Sequence, residues 1–224
     1  MNIQTARQQH VLQLEKMGFK VSKGLPVNRP RVAEVDHRLL ARRLLAQKLV
    51  FGYVAVGEDQ LSFAKIQNCI NVNILGGFFT ESEKKMVMKE RGQAHRDHVD
   101  AVGWMLENML GLSWVFGSKI LDDVGLAMCG GEHAKRLLLA DTPNVNCEID
   151  AWVAASRRRP TQEVVVKEDY YYCWHNAARN IVHGGLANPT DLPGPVLVGL
   201  VQERRHALTF ALSSCHWDET DLST

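Results

Sequence analysis

The chain predicts an all-α fold, a single globular multi-helix domain of about eight helices spanning 1–224. Apolar residues recur at steps of three and four through most of the sequence. Gly24, Pro26 and Pro30, then Gly76-Gly77, and then Gly184-Gly185 with Pro189 to Pro195 break the chain between segments. Alternating strand patterns are nearly absent; Val164-Val165-Val166 is the best candidate and is too short to carry a sheet.

In order along the chain, Thr5 is a cap for a first helix reaching Met17, with Gly18 as its stop. A connector marked by Gly24, Pro26 and Pro30 follows, so that residues 1–30 read as a peripheral helix and linker. Good helix formers run from Arg31 to about Val56, and Asp59 is positioned to cap a third helix reaching Leu75, before Gly76-Gly77. Thr80-Glu81-Ser82-Glu83 is a capping box, because the Thr80 hydroxyl and the Glu83 carboxylate satisfy each other's orphan amides. Val99, Val102, Leu106 and Met109 make 93–110 an amphipathic core helix, closed by Gly111. Short helices are expected over 119–128, 131–140 and 147–157, the last ending at the basic triplet Arg157-Arg158-Arg159. Thr161 caps a helix to about Val182, and Pro195 suits the first position of a last helix over 195–213.

Composition excludes several classes. With 46% hydrophobic and 23% charged residues the chain belongs with globular proteins rather than disordered ones. The 26 basic and 25 acidic side chains cancel, so no global field draws it to nucleic acid or a membrane surface. A local basic face at Arg38, Arg42 and Arg43 reads as a solvated helix surface, and no nucleic acid is expected as a partner. Five widely spaced cysteines without a C-x-x-C pair point to reduced thiols. No signal-type segment or membrane-length apolar run is present, so a soluble, cytoplasmic protein is expected.

Chemistry-bearing residues concentrate in the last quarter. On the helix over 161–182, Val164, Tyr171, Trp174, Ala178 and Ile181 form an apolar stripe. Asp169, Tyr172, His175 and Arg179 form a polar row on its flank, at spacings that let them interact in sequence. On the last helix Arg204 falls in the middle of the stripe Leu197, Leu200, Val201, Leu208, Ala211 and Leu212, while Glu203 and His206 point elsewhere. A buried guanidinium needs an acid, and the tail offers Asp218 and Asp221 on a segment that Trp217 can anchor. Arg204 is therefore expected to be buried and bidentate to Asp218 or Asp221, as a structural clasp for the C-terminus.

Other constellations are weak. His95 and His98 have metal-ligand spacing, but no second ligand pair is visible and no metal is expected. Cys173 with His175, and Cys215 with His216, lack a nucleophile context, and no cofactor-binding motif is present.

The order Asp169-x-x-Tyr172-x-x-His175, Glu203-Arg204-Arg205-His206-Ala207-Leu208 and Trp217-Asp218 resembles the bacterial domain-of-unknown-function family DUF4272. The front end agrees, with a helix ending in Gly18-Phe19 and the Leu25-Pro26 connector, as does the middle helix with Trp104 and Leu110-Gly111-Leu112. The resemblance implies a mainly helical, soluble domain and carries no established activity.

Two functions compete on the residues. A protein-interaction domain agrees with the balanced charge and the missing catalytic motif. A small hydrolase or transferase would use Asp169, Tyr172, His175 and Arg179 in a cleft, with Glu203 or His206 nearby and His175 as general base near its normal pKa.

Overall fold

The structure, a computed structural model, describes residues 2–27, 34–213 and 215–223. Pro30 and the start of the helix expected from Arg31 lie outside the described residues. The described residues form eleven α-helices and no strand, against about eight expected; the short helices expected in the middle of the chain are present, and the one expected over 93–110 is two. None of these helices is long and apolar enough to cross a membrane. The chain divides into two compact units, one of residues 1–35 and 159–224, the other of residues 36–158.

The first unit contains α1 (Ile3–Lys16), α10 (Thr161–Gly184) and α11 (Gly194–Ala211). Helix α10 is the middle element and packs against both others. It is buried almost all the way round from Glu168 to Ala178, which an amphipathic surface helix would not be. The expected apolar stripe of α11 is buried, and α1 adds Ala6 and Leu14, both fully enclosed. Helix α1 is capped by Asn2, whose side chain accepts from the Gln4 amide, and not by Thr5. It ends at Gly18, where φ is +89° and a Cβ would stand 2.9 Å from the Pro189 side chain.

The second unit is built round α2 (His37–Ala55), against which α3 (Phe63–Val72), α4 (Glu81–Val87), α5 (Arg91–Gly103), α6 (Met105–Val115) and α9 (Ile149–Ala155) pack. The short helices α7 (Ile120–Asp123) and α8 (Gly131–Leu139) complete it. The caps of α2 and α3 are Asp36 and Ser62, in place of the Arg31 start and the Asp59 cap that the pattern suggested. The predicted capping box is present: the Thr80 amide donates to Glu83 at 2.9 Å and the Glu83 amide to the Thr80 hydroxyl at 3.1 Å. The helix expected over 93–110 breaks at Trp104 into α5 and α6.

Two arginines order this unit. Arg43 is buried and bidentate to Glu83, at 2.7 and 2.8 Å, and donates to the Phe78 carbonyl. The basic face read at Arg38, Arg42 and Arg43 is therefore not a free cationic surface: Arg43 is enclosed, and Arg38 pairs with Asp150 at 3.1 Å. Arg91 donates to the carbonyls of Gly52, Tyr53, Val56 and Leu61 and pairs with Glu58, tying the last turn of α2 to the loop that follows it.

Helices α1, α3 and α6 end in the same way. The residue after the cap turns left-handed, and two amides reach back to carbonyls of the last turn. That residue is Gly18 in α1 and Gly117 in α6, but Ile74, at φ +53°, in α3. At Gly117 a Cβ would meet the Arg157 carbonyl oxygen at 2.6 Å. Gly117→Ala is expected to destabilise the protein by about 2 kcal/mol or more, from left-handed strain and the clash together, read as a fall in denaturant midpoint.

Candidate functional site

Buried charge in the first unit is organised by two adjacent acids on α10. Consecutive residues on a helix point about 100° apart, so Glu168 and Asp169 address different neighbours. Asp169 meets α1. Arg7 reaches it through Nε at 3.1 and 3.0 Å and through Nη2 at 2.6 Å, and His10 Nδ1 lies 2.9 Å from its second oxygen. Arg7 Nη1 also donates to the carbonyls of Leu25 and Pro26, tying the connector to the same centre. Glu168 meets α11, accepting from Arg205 Nε at 3.2 Å and from the Thr209 hydroxyl at 3.1 Å.

Tyr172 stands one turn on from both acids, and its ring faces both arginines. The guanidinium carbon of Arg7 lies 5.3 Å from the ring centroid and that of Arg205 lies 4.6 Å away. Both are within cation–π range, and with little competing water each contact is worth on the order of 1–2 kcal/mol. One turn further, His175 Nδ1 is 3.0 Å from Arg205 Nη1. Arginine is always a donor, so Nδ1 is the acceptor and the ring's proton sits on Nε2. Asn176 accepts from the Ser22 amide, and Asn180 donates to the Lys20 carbonyl.

Arg205 also holds the end of the chain, donating to the carbonyls of Leu222 at 2.9 Å and Ser223 at 3.3 Å. Trp217 stacks on His206 with centroids 4.1 Å apart, meets Phe210 edge-on, and its carbonyl lies 3.0 Å from His206 Nε2. Arg204 is fully buried, whereas Asp218 and Asp221 are exposed. The Asp221 carboxylate accepts from the Ser223 amide and hydroxyl.

Three of the four residues read as a cleft-lining row are enclosed: Asp169, Tyr172 and His175 are each at most 4% exposed. Arg179, the fourth, is exposed, and Glu203 and His206 are half-buried. Arg7, His10, Glu168 and Arg205 are the members of this cluster that the helical pattern did not single out. Their one advance signal was the cost of burying an acid pair next to a tyrosine on a helix rich in apolar residues.

The electrostatics follow from burial. Removal from water, reinforced by Arg205 and Arg179, pushes His175 from 6.5 down to about 4. Burial alone would raise Asp169, but the His10 and Arg7 contacts outweigh it and hold the carboxyl below its usual range. Burial raises Glu168, outweighing the attraction of Arg205. Burial pushes the Cys173 thiol up to about 12, the reverse of an activated nucleophile. A histidine titrating near 4 whose free nitrogen already accepts from Arg205 is a poor general base at neutral pH. Away from this cluster, His95 Nδ1 lies 3.0 Å from the Val54 carbonyl. Among the described residues no group of three or more His, Cys, Asp or Glu is arranged to hold a metal ion.

Two outcomes follow. Asp169→Asn leaves Arg7 buried beside a neutral amide and is expected to cost about 3–5 kcal/mol in denaturant unfolding, against within about 0.5 kcal/mol for Arg179→Ala at the exposed end. For His175, the unfolded chain takes up a proton near pH 6.5 and the folded chain only near 4, so its neutral form loses stability as pH falls through that window. Glu168, raised in the folded state, acts in the opposite direction, so the effect is read as a difference between variants. His175→Gln keeps an acceptor for Arg205 without titrating. Its stability loss between neutral pH and pH 4.5 is expected to be about 2–3 kcal/mol smaller than that of the parent.

No curated protein and no solved structure matches the chain. The family model described as "Domain of unknown function (DUF4272)" matches residues 6–220. That span includes Arg7, Asp169, Tyr172, His175 and Arg205, and the chain belongs to the DUF4272 family.

Proposed function

We propose that this chain is a cytoplasmic protein-interaction domain in which the polar row of α10 is a structural clasp. One observation carries the reading: an apolar surface on the second unit is left open. Ile74, just after α3, and Met88, just after α4, are 74% and 84% exposed, and α3 and α4 frame a groove of about 390 Å³. Leu49 and Tyr53 of α2, with Phe63, Ile66, Ile70, Phe79 and Val87, form most of its lining. Single exposed apolar residues are ordinary, but several beside an apolar groove are the usual mark of a binding face. The enclosure of Asp169, Tyr172 and His175 weighs against the hydrolase or transferase reading, which needs those groups to meet a substrate.

The test is capture from a native-host lysate, followed by binding of the purified captured protein to the purified domain. The reading expects saturable binding that Met88→Lys weakens at unchanged melting temperature. If binding fails with purified components, and His175→Gln abolishes a substrate turnover while remaining folded, the enzyme reading replaces it.

A further inference from the structure

Three nucleophilic side chains from separate parts of the second unit meet where the segment ahead of α9 is held against α2 and α3. Cys69 lies on α3 and Cys147 on that segment, and Lys48 of α2 donates from Nζ to the Pro143 carbonyl at 2.7 Å. Asn73, one turn on from Cys69, joins them. Its side-chain nitrogen donates to the Cys69 carbonyl at 3.2 Å and to the Cys147 carbonyl at 3.1 Å, and lies 3.8 Å from the Cys69 sulfur. Its oxygen accepts from the Ile149 amide at 2.9 Å, so one buried side chain fastens the start of α9 to the end of α3. The Cys69 sulfur and the Cys147 carbonyl thus touch the same nitrogen atom, and they can be no farther apart than those two contacts laid end to end. Disulfide-linked α-carbons stand about 4.4–6.8 Å apart, a separation on that scale. Cys147 lies outside any helix, where a side-chain rotation and a small backbone shift suffice for closure.

The surroundings decide which oxidant the pair can meet and how fast. Cys69 is 1% exposed and Cys147 is half-buried, so Cys147 is the thiol that a reagent reaches first. Burial pushes the Cys69 thiol up to about 11 and raises Cys147 as well; the Lys48 cation acts against both shifts without overcoming them. Lys48 is itself pushed down to about 8 by burial, so at neutral pH most of it is still an ammonium able to steady a thiolate. Thiols held this high attack slowly, which excludes a fast peroxide sensor and suits slow exchange with a small-molecule disulfide. Cys173 and Cys215 belong to the first unit, which leaves Cys129 as the third thiol of the second.

We propose that Cys69 and Cys147 are a thiol pair that oxidation closes to a disulfide, pinning α3 to the segment ahead of α9. The oxidant is glutathione disulfide. The Cys147 thiolate attacks one of its sulfurs, forming a mixed disulfide and releasing one glutathione thiolate. The Cys69 thiolate then attacks the Cys147 sulfur and releases the second. The protein gives up two electrons and two protons, and both leave on the two glutathione thiols. Closure links residues far apart in the chain, so it restricts the unfolded ensemble strongly and stabilises the folded second unit.

The experiment equilibrates the full chain with glutathione disulfide for several hours, quenches it with acid, and alkylates it in denaturant before peptide mapping. Two of the five thiols are expected to be lost, with the peptides containing Cys69 and Cys147 recovered as one disulfide-linked pair. The melting temperature is expected to rise by about 5–15 °C over that of the reduced chain and to return when dithiothreitol is added. Cys147→Ser changes a half-buried residue outside the helices, so it should melt with the reduced parent while losing both the linked peptide and the shift. Cys69→Ala should stop the reaction half-way, with glutathione retained on Cys147. Five free thiols after exposure, a linked pair that uses Cys129 instead, or a glutathione adduct on Cys147 of the parent that never resolves overturns the proposal. So does a temperature shift that survives in Cys147→Ser.

Discussion

Two carboxylates placed side by side on a helix that is closed in on every face create a demand that the rest of the first unit meets. A desolvated acid without a partner would cost several kcal/mol, comparable with the whole stability of a small domain. Asp169 is answered by Arg7 and His10 of α1, and Glu168 by Arg205 and Thr209 of α11. The arginines bring their own requirements. Arg7 must satisfy its remaining donors and does so on Leu25 and Pro26; Arg205 does so on His175, Leu222 and Ser223. One pair of acids thereby determines the seating of α1, the connector, α11 and the tail.

Tyr172 links the two halves of this arrangement, since its ring meets both guanidiniums. Buried ion pairs are weak contributors to net stability, because desolvation offsets most of their attraction, but they penalise every alternative register strongly. Hydrophobic packing of α1 and α11 on α10 would tolerate sliding by a turn; two arginines aimed at two specific carboxylates do not. The cluster's role is thus to select one arrangement of three helices whose apolar faces supply the adhesion.

The all-α class, the Gly18 stop, the Thr80–Glu83 capping box and the apolar stripes were legible because each depends on residues a few positions apart. Caps at Asn2, Asp36 and Ser62 competed with equally good candidates nearby, and only tertiary packing decides between them. A helical wheel does not show what covers a polar face, and of the polar row on α10 Asp169, Tyr172 and His175 are enclosed while Arg179 is exposed. Arg7 lies 162 residues from the acid it binds, so no local pattern could pair them. The clasp was expected at Arg204 because that residue interrupts an apolar stripe. Arg204 is enclosed, and its neighbour Arg205 also donates to the carbonyls of Leu222 and Ser223. Ile74 gave no signal at all, because a left-handed isoleucine is what propensity argues against.

The claim that each acid holds one neighbour is tested most directly by native-state amide hydrogen exchange on Glu168→Gln and Asp169→Asn, compared with the parent. The account predicts that Asp169→Asn loosens α1 and the 17–27 connector first, while Glu168→Gln loosens the C-terminal half of α11 and the tail to Ser223. Protection lost evenly across the first unit in both variants, or retained in both at α1 and the tail, would contradict it.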